Sequence, residues 1–133
     1  LFPYTTLFRS LRRAELYAKA GADLLFVESP ESIEEMRTIC RSFDLPLVAN
    51  MVEGGRTPVL SHQDLKELGY GLAIFPAAAF LAAASAFQGV YQTIKTTGSS
   101  VGGPTPLYDF PAFSQLMGFD WVQAFDERHA QND

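Results

Sequence analysis

The sequence predicts an α/β fold made of successive parallel β/α units. Short apolar runs alternate with stretches of helical period, and the alternation repeats at about 25 residues. Each apolar run also closes in a polar residue or a proline, as strands that deliver side chains into loops do. At 133 residues and 47% apolar content, the chain is the size of one globular domain.

Residues 1–10 are expected to be a non-native leader, read through into a frame that begins mid-protein, because they fit neither a helical nor an alternating pattern. From Leu11 the period becomes helical: Leu11, Ala14, Tyr17 and Ala18 share a face, and Gly21 supplies the stop. Residues 23–28 then form a short buried strand that ends in Glu28. Ser29-Pro30 opens the next helix, and Ser32 with Glu35 offers a second, capping-box start. Ile33, Met36, Cys40 and Phe43 mark the buried side of that helix.

Residues 46–50 form the second strand. Ser61 and Asp64 have cap spacing for a short helix carrying Leu65 and Leu68, stopped by Gly69. Residues 72–75 are the third strand, closed by Pro76, and residues 77–93 a buried alanine-rich helix that ends near Gly98. No charge lies between Glu67 and Lys95, yet Pro76 divides this stretch and alanine is weakly hydrophobic, so it reads as strand plus helix and not as a membrane span. The β/α portion therefore covers residues 11–98, followed by a Gly/Ser/Pro-rich linker at 99–107 and a helical tail at 108–133. The tail's aromatics, among them Phe110, Phe113, Phe119, Trp121 and Phe125, need a surface to cover, on this chain or on another subunit.

A net charge of −5 argues against nucleic acid or an anionic membrane as the main partner. The single cysteine, Cys40, excludes an internal disulfide and a Cys-based metal cluster, and suits a reducing cytoplasm. In parallel β/α folds the ligand sits beyond the C-terminal ends of the strands. Those ends carry Glu28, Asn50 and Pro76, with Glu53, Gly54, Gly55, Arg56 and Thr57 on the loop after the second. Glu28 can accept a hydrogen bond from a substrate hydroxyl or a metal-bound water. Asn50 can donate to a carboxylate and accept from a hydroxyl, and Arg56 can clamp a carboxylate with two hydrogen bonds. Plainer roles stand beside these: Glu28 capping the following helix, Asn50 satisfying loop backbone, Arg56 paired with Glu53 or simply solvated. His62 and His129 are isolated surface residues and Ser85 is packing. No Ser/His/Asp order, HExxH or GxGxxG is present.

Three motifs, Ala20-Gly21-Ala22-Asp23-Leu24-Leu25-Phe26-Val27-Glu28, Ala49-Asn50-Met51-Val52-Glu53-Gly54-Gly55-Arg56-Thr57-Pro58 and Ala73-Ile74-Phe75-Pro76, resemble the isocitrate lyase/phosphoenolpyruvate mutase superfamily. The resemblance implies the C-terminal portion of a (β/α)8 barrel of the TIM type, about strands six to eight, with a tail helix swapped between subunits of a dimer of dimers. It implies a Mg2+- or Mn2+-dependent lyase that acts on a small 2-hydroxy- or 2-oxo-dicarboxylate through an enolate. Glu28, Asn50, Glu53 and Pro76 would then bind substrate. The metal-binding aspartates, the mobile catalytic loop and the strand-five arginine would lie upstream, so this stretch alone is not expected to catalyse.

Departures from the pattern narrow the branch. Methylisocitrate lyases resemble the chain but carry Thr where Val52 stands and Arg where Leu81 stands, and a further arginine has no counterpart near residues 106–110. Without those cations a third carboxylate would lack a partner. The Glu-Gly-Gly-Arg-Thr-Pro loop looks more like the branch of carboxyvinyl-carboxyphosphonate phosphorylmutase, dimethylmalate lyase and oxaloacetate hydrolase or decarboxylase. Methylisocitrate lyase, the phosphonate-forming mutase and a non-catalytic oligomerisation module remain the alternatives. A Schiff-base aldolase finds no support, since Lys19, Lys66 and Lys95 all sit on predicted helices.

Overall fold

The computed structural model describes residues 3–130, in which helices and strands alternate as α1 (Pro3–Lys19), β1 (Leu25–Phe26), α2 (Ile33–Arg41), β2 (Leu47–Asn50), α3 (His62–Leu68), β3 (Leu72–Ile74), α4 (Ala78–Thr97), α5 (Phe110–Leu116) and α6 (Phe119–His129). The chain forms two compact units, residues 1–84 and residues 85–133.

In the first unit the strands make one parallel sheet in the order β1-β2-β3. Leu25 pairs with Leu47, Phe26 with Val48, Val48 with Leu72, Ala49 with Ala73 and Asn50 with Ile74. Paired residues of a parallel ladder point to the same face, and neighbours along a strand to opposite faces. One face therefore carries Leu25, Leu47, Ala49 and Ala73. It packs on the helices in two clusters: Leu25, Val27 and Leu47 with Ala14 and Ile39, and Ala49 and Met51 with Met36 and Leu65. Tyr70 touches both clusters and joins them. The other face carries Phe26, Val48, Leu72 and Ile74, and there Phe26 and Leu72 stay about half exposed, at 50% and 49%.

Several expectations change. The first helix starts at Pro3, not at Leu11, because Leu7 extends the stripe of Leu11, Ala14 and Ala18 by one turn and packs on the same cluster, while proline suits a helix start. The second helix starts at the Ser32 cap, whose side chain accepts from the Glu35 N–H; Ser29-Pro30 does not open it. Glu35 in turn accepts from the N–H of Glu31, one residue before the cap. The first strand is two residues long, and the buried side of α2 is Met36 and Ile39, with Ile33 exposed. The third strand is largely exposed; α4 ends at Thr97, beside Gly98 as expected, but Thr93 is its one buried residue. Neither core cluster contains an α4 side chain, so its apolar residues do not make the expected buried helix.

The short helix holds as predicted. Ser61 and Asp64 form a reciprocal capping box, and Gly69 ends the helix in the left-handed conformation. In the second unit the linker lies along the C-terminal half of α4, where Gly89 and Gly103 face the side chains of Thr105 and Thr93 at separations too short for any added Cβ. The α5 and α6 helices are the expected aromatic pair, and Phe110, Leu116 and Trp121 are exposed on them. Among the described residues no helix is long and apolar enough to cross a membrane.

Burial pushes the Cys40 thiol above its ordinary 9.0 and the Tyr70 phenol above its ordinary 10.0, and for Tyr70 the neighbouring Cys40 adds to the shift. Both groups hold their protons more tightly in the fold than in the unfolded chain. Their contribution to stability is therefore complete below about pH 9 and is lost as pH rises further. Thermal unfolding followed from about pH 8 to about pH 11 should show a falling midpoint, and Tyr70→Phe should flatten that fall.

Candidate functional site

The site is set by the C-terminal rim of the sheet. Phe26 is level with Val48, and Asn50 with Ile74. Continuing that register puts Glu28 level with Asn50, and Pro76 two residues beyond Ile74. Glu28 and Asn50 share the parity of Phe26 and Val48, which is the face turned away from α1, α2 and α3. The loop after β2 is anchored at both ends. The Met51 N–H donates to the Ile74 carbonyl at 2.9 Å, and the Leu60 N–H points at the Met51 sulfur at 3.4 Å. Between these anchors Gly54 takes a φ of 74°, and a Cβ on Gly55 would meet the Val52 carbonyl at 3.0 Å. Both glycines are therefore required by the turn.

Asn50 ends the central strand, and its Oδ1 is buried without a hydrogen-bond partner among the described residues. An unpaired buried acceptor costs roughly 1–3 kcal/mol and so calls for a partner. A cleft too tight to hold a free water adjoins it, lined by Ser29, Pro30, Met36, Met51, Thr57 and Tyr70. Ser29 has a φ of 55° and its Oγ donates to Glu28 Oε1 at 3.0 Å. Glu28 itself lines a different space, a cavity of about 420 Å³ along the free side of β1, bounded by Arg13, Tyr17 and Phe26. Arg56 is 76% exposed and pairs with Glu31 at 3.6 Å, across the loops that follow β1 and β2; it does not pair with Glu53. Such an exposed, long pair contributes little to stability.

The predicted residues are thus brought together in part. Asn50 and Thr57 share the cleft, and Glu28 reaches its edge through Ser29. Glu53 is exposed in the turn and Pro76 is exposed just before α4; neither lines the cleft. Sequence reasoning missed Ser29, having read it as the start of a helix. The redundancy of two start signals, at Ser29 and at Ser32, was the clue that only one of them caps. Among the described residues no three His, Cys, Asp or Glu side chains come close enough to hold a metal ion.

A family model described as phosphoenolpyruvate phosphomutase matches residues 2–95. The chain belongs to the phosphoenolpyruvate mutase/isocitrate lyase superfamily. It is 36% identical over 121 residues to the 2,3-dimethylmalate lyase of Eubacterium barkeri, covering 91% of this chain and 42% of that protein. A crystal structure of 2,3-dimethylmalate lyase superposes with a TM-score of 0.78 at 30% identity, covering 90% of this chain and 42% of the other. Phosphonopyruvate hydrolase, solved in complex with oxalate and Mg2+, superposes with a TM-score of 0.77 at 25% identity, covering 94% and 44%. The chain spans about two fifths of the length of these relatives. They are enzymes with TIM-type barrels, and the three parallel β/α units correspond to part of such a barrel.

If the Asn50 amide is held for a ligand, it is a burden on the empty fold. Replacing it by Leu, of similar size and without the unpaired acceptor, should raise stability by about 1 kcal/mol in urea unfolding. A loss of similar size would show that the amide already has a partner.

Proposed function

We propose that the chain supplies one wall of the active site of a carbon–carbon bond lyase that acts on a small 2-hydroxy- or 2-oxo-dicarboxylate. The observation that carries this reading is the buried, unpaired Asn50 Oδ1 at the C-terminal end of the central strand. The 36% identity to a 2,3-dimethylmalate lyase supports the reaction class. In this reading the three strands are six to eight of a (β/α)8 barrel.

Each residue has a definite task. Asn50 Oδ1 accepts from a substrate hydroxyl while its amide N–H donates to the adjacent carboxylate oxygen, and the two bonds orient the bond to be broken. Thr57 offers a hydroxyl in the same cleft. Glu28 accepts from a second hydroxyl or a bound water. Glu53, Gly54 and Gly55 shape the turn that brings Arg56 to the mouth, where it attracts the dianion. Pro76 stiffens the exit from β3. The enolate-like charge that develops during cleavage needs a cation. Mg2+ is expected in that role, as the superfamily resemblance implies, and one relative was solved with Mg2+ and oxalate. The described residues of this chain do not form a site for it. The exposed aromatics of α5 and α6 support a homo-oligomer; a dimer of dimers with exchanged tails is what the superfamily resemblance implies, and the single Cys40 suits a cytoplasmic enzyme.

The test is turnover by the full-length parent protein, incubated with Mg2+ and 2,3-dimethylmalate, 2-methylisocitrate or oxaloacetate. Release of pyruvate or oxalate is expected, and Asn50→Ala should lower kcat/KM by roughly 100-fold, the loss of two oriented hydrogen bonds. An Asn50→Ala enzyme as active as the parent would overturn the assignment.

A further inference from the structure

Ser29 is the one non-glycine residue among those described with a positive φ, at 55°. Glycine, asparagine and aspartate tolerate that region; serine gains nothing from it locally. The next residue is Pro30, which is buried against the cleft and pushes its predecessor toward extended angles. The strain is therefore held by the surroundings, and strain held in this way marks functional positions. It is not needed for the following helix, because Ser32 already caps α2.

The unusual backbone turns the Ser29 hydroxyl back onto the preceding residue, where Oγ donates to Glu28 Oε1 at 3.0 Å. Ser29 also lines the cleft that holds Asn50 Oδ1 and Thr57. It thus lines the Asn50 cleft and bonds Glu28, which otherwise faces the cavity along β1 and not the cleft. We propose that Ser29 is a positioning residue: its strained turn and its hydroxyl fix the Glu28 carboxylate at the edge of the Asn50 cleft, with one oxygen engaged and the other left to accept from a ligand. This rests on the reading of Glu28 and Asn50 as ligand-facing groups.

Two variants of the full chain separate this role from that of a plain turn. Ser29→Gly deletes the hydroxyl and relieves the strain, and Ser29→Ala deletes the hydroxyl and keeps it. Side-chain order of Glu28 is read by NMR relaxation of labelled glutamates, with exposed Glu53 as the reference, and malate, whose 2-hydroxyl can donate to a carboxylate, is titrated in parallel. Ser29→Gly should unfold at the same or a higher temperature than the parent, and Ser29→Ala at or below it, with Glu28 in both as mobile as Glu53. Malate binding, where the parent shows it, should weaken about fivefold in Ser29→Gly. If Glu28 stays ordered in Ser29→Gly, the positioning role is overturned whatever malate does. If Glu28 loses order but the parent binds no malate, positioning stands and the ligand-site reading fails.

Discussion

Everything at the candidate site depends on the parallel register between β1, β2 and β3. Two hydrophobic clusters on the helix side of the sheet hold it, through Leu25, Leu47, Ala49 and Met51 packed on Ala14, Ile39, Met36 and Leu65. A slip by one residue would exchange the faces of every strand residue and bury the acceptor side chain among the helices. Because Leu47 and Ala49 must face the helices, Asn50 must face away from them. The polar end of the central strand is a consequence of where its apolar residues are forced to go.

The same constraint leaves an apolar face without cover. Phe26, Leu72 and Ile74 lie on the side of the sheet opposite the helices, and all three are exposed. In a closed barrel this face is the interior, filled by side chains from alternate strands. The fold seen here is thus locally complete on its helix side and open on its inner side, in keeping with a chain that spans about two fifths of its relatives.

Much of this was legible in the sequence, and what was not has physical causes. The order of elements, the Ser61 capping box, the Gly69 stop and the turn glycines are local decisions, made by residues within a few positions of one another. The start of α1 was misplaced because Leu7 declares its helical role only through contact with the core cluster. Exposure of β3 and α4 could not be read from their apolar composition, since burial depends on what lies opposite. The special place of Asn50 followed from its position at a strand end, but its unpaired oxygen is a property of the packed cleft. At Ser29 the redundant helix-start signal was the one trace, and its positive φ leaves no mark in the sequence.

The most direct test of the account is the structure of the parent protein crystallised with oxalate. The account predicts oxalate at the C-terminal rim, within hydrogen-bond distance of the Asn50 amide and bordered by Ser29 and Thr57. Oxalate bound away from the Asn50 amide N–H, or an Asn50 oxygen satisfied by the protein's own backbone, would contradict it.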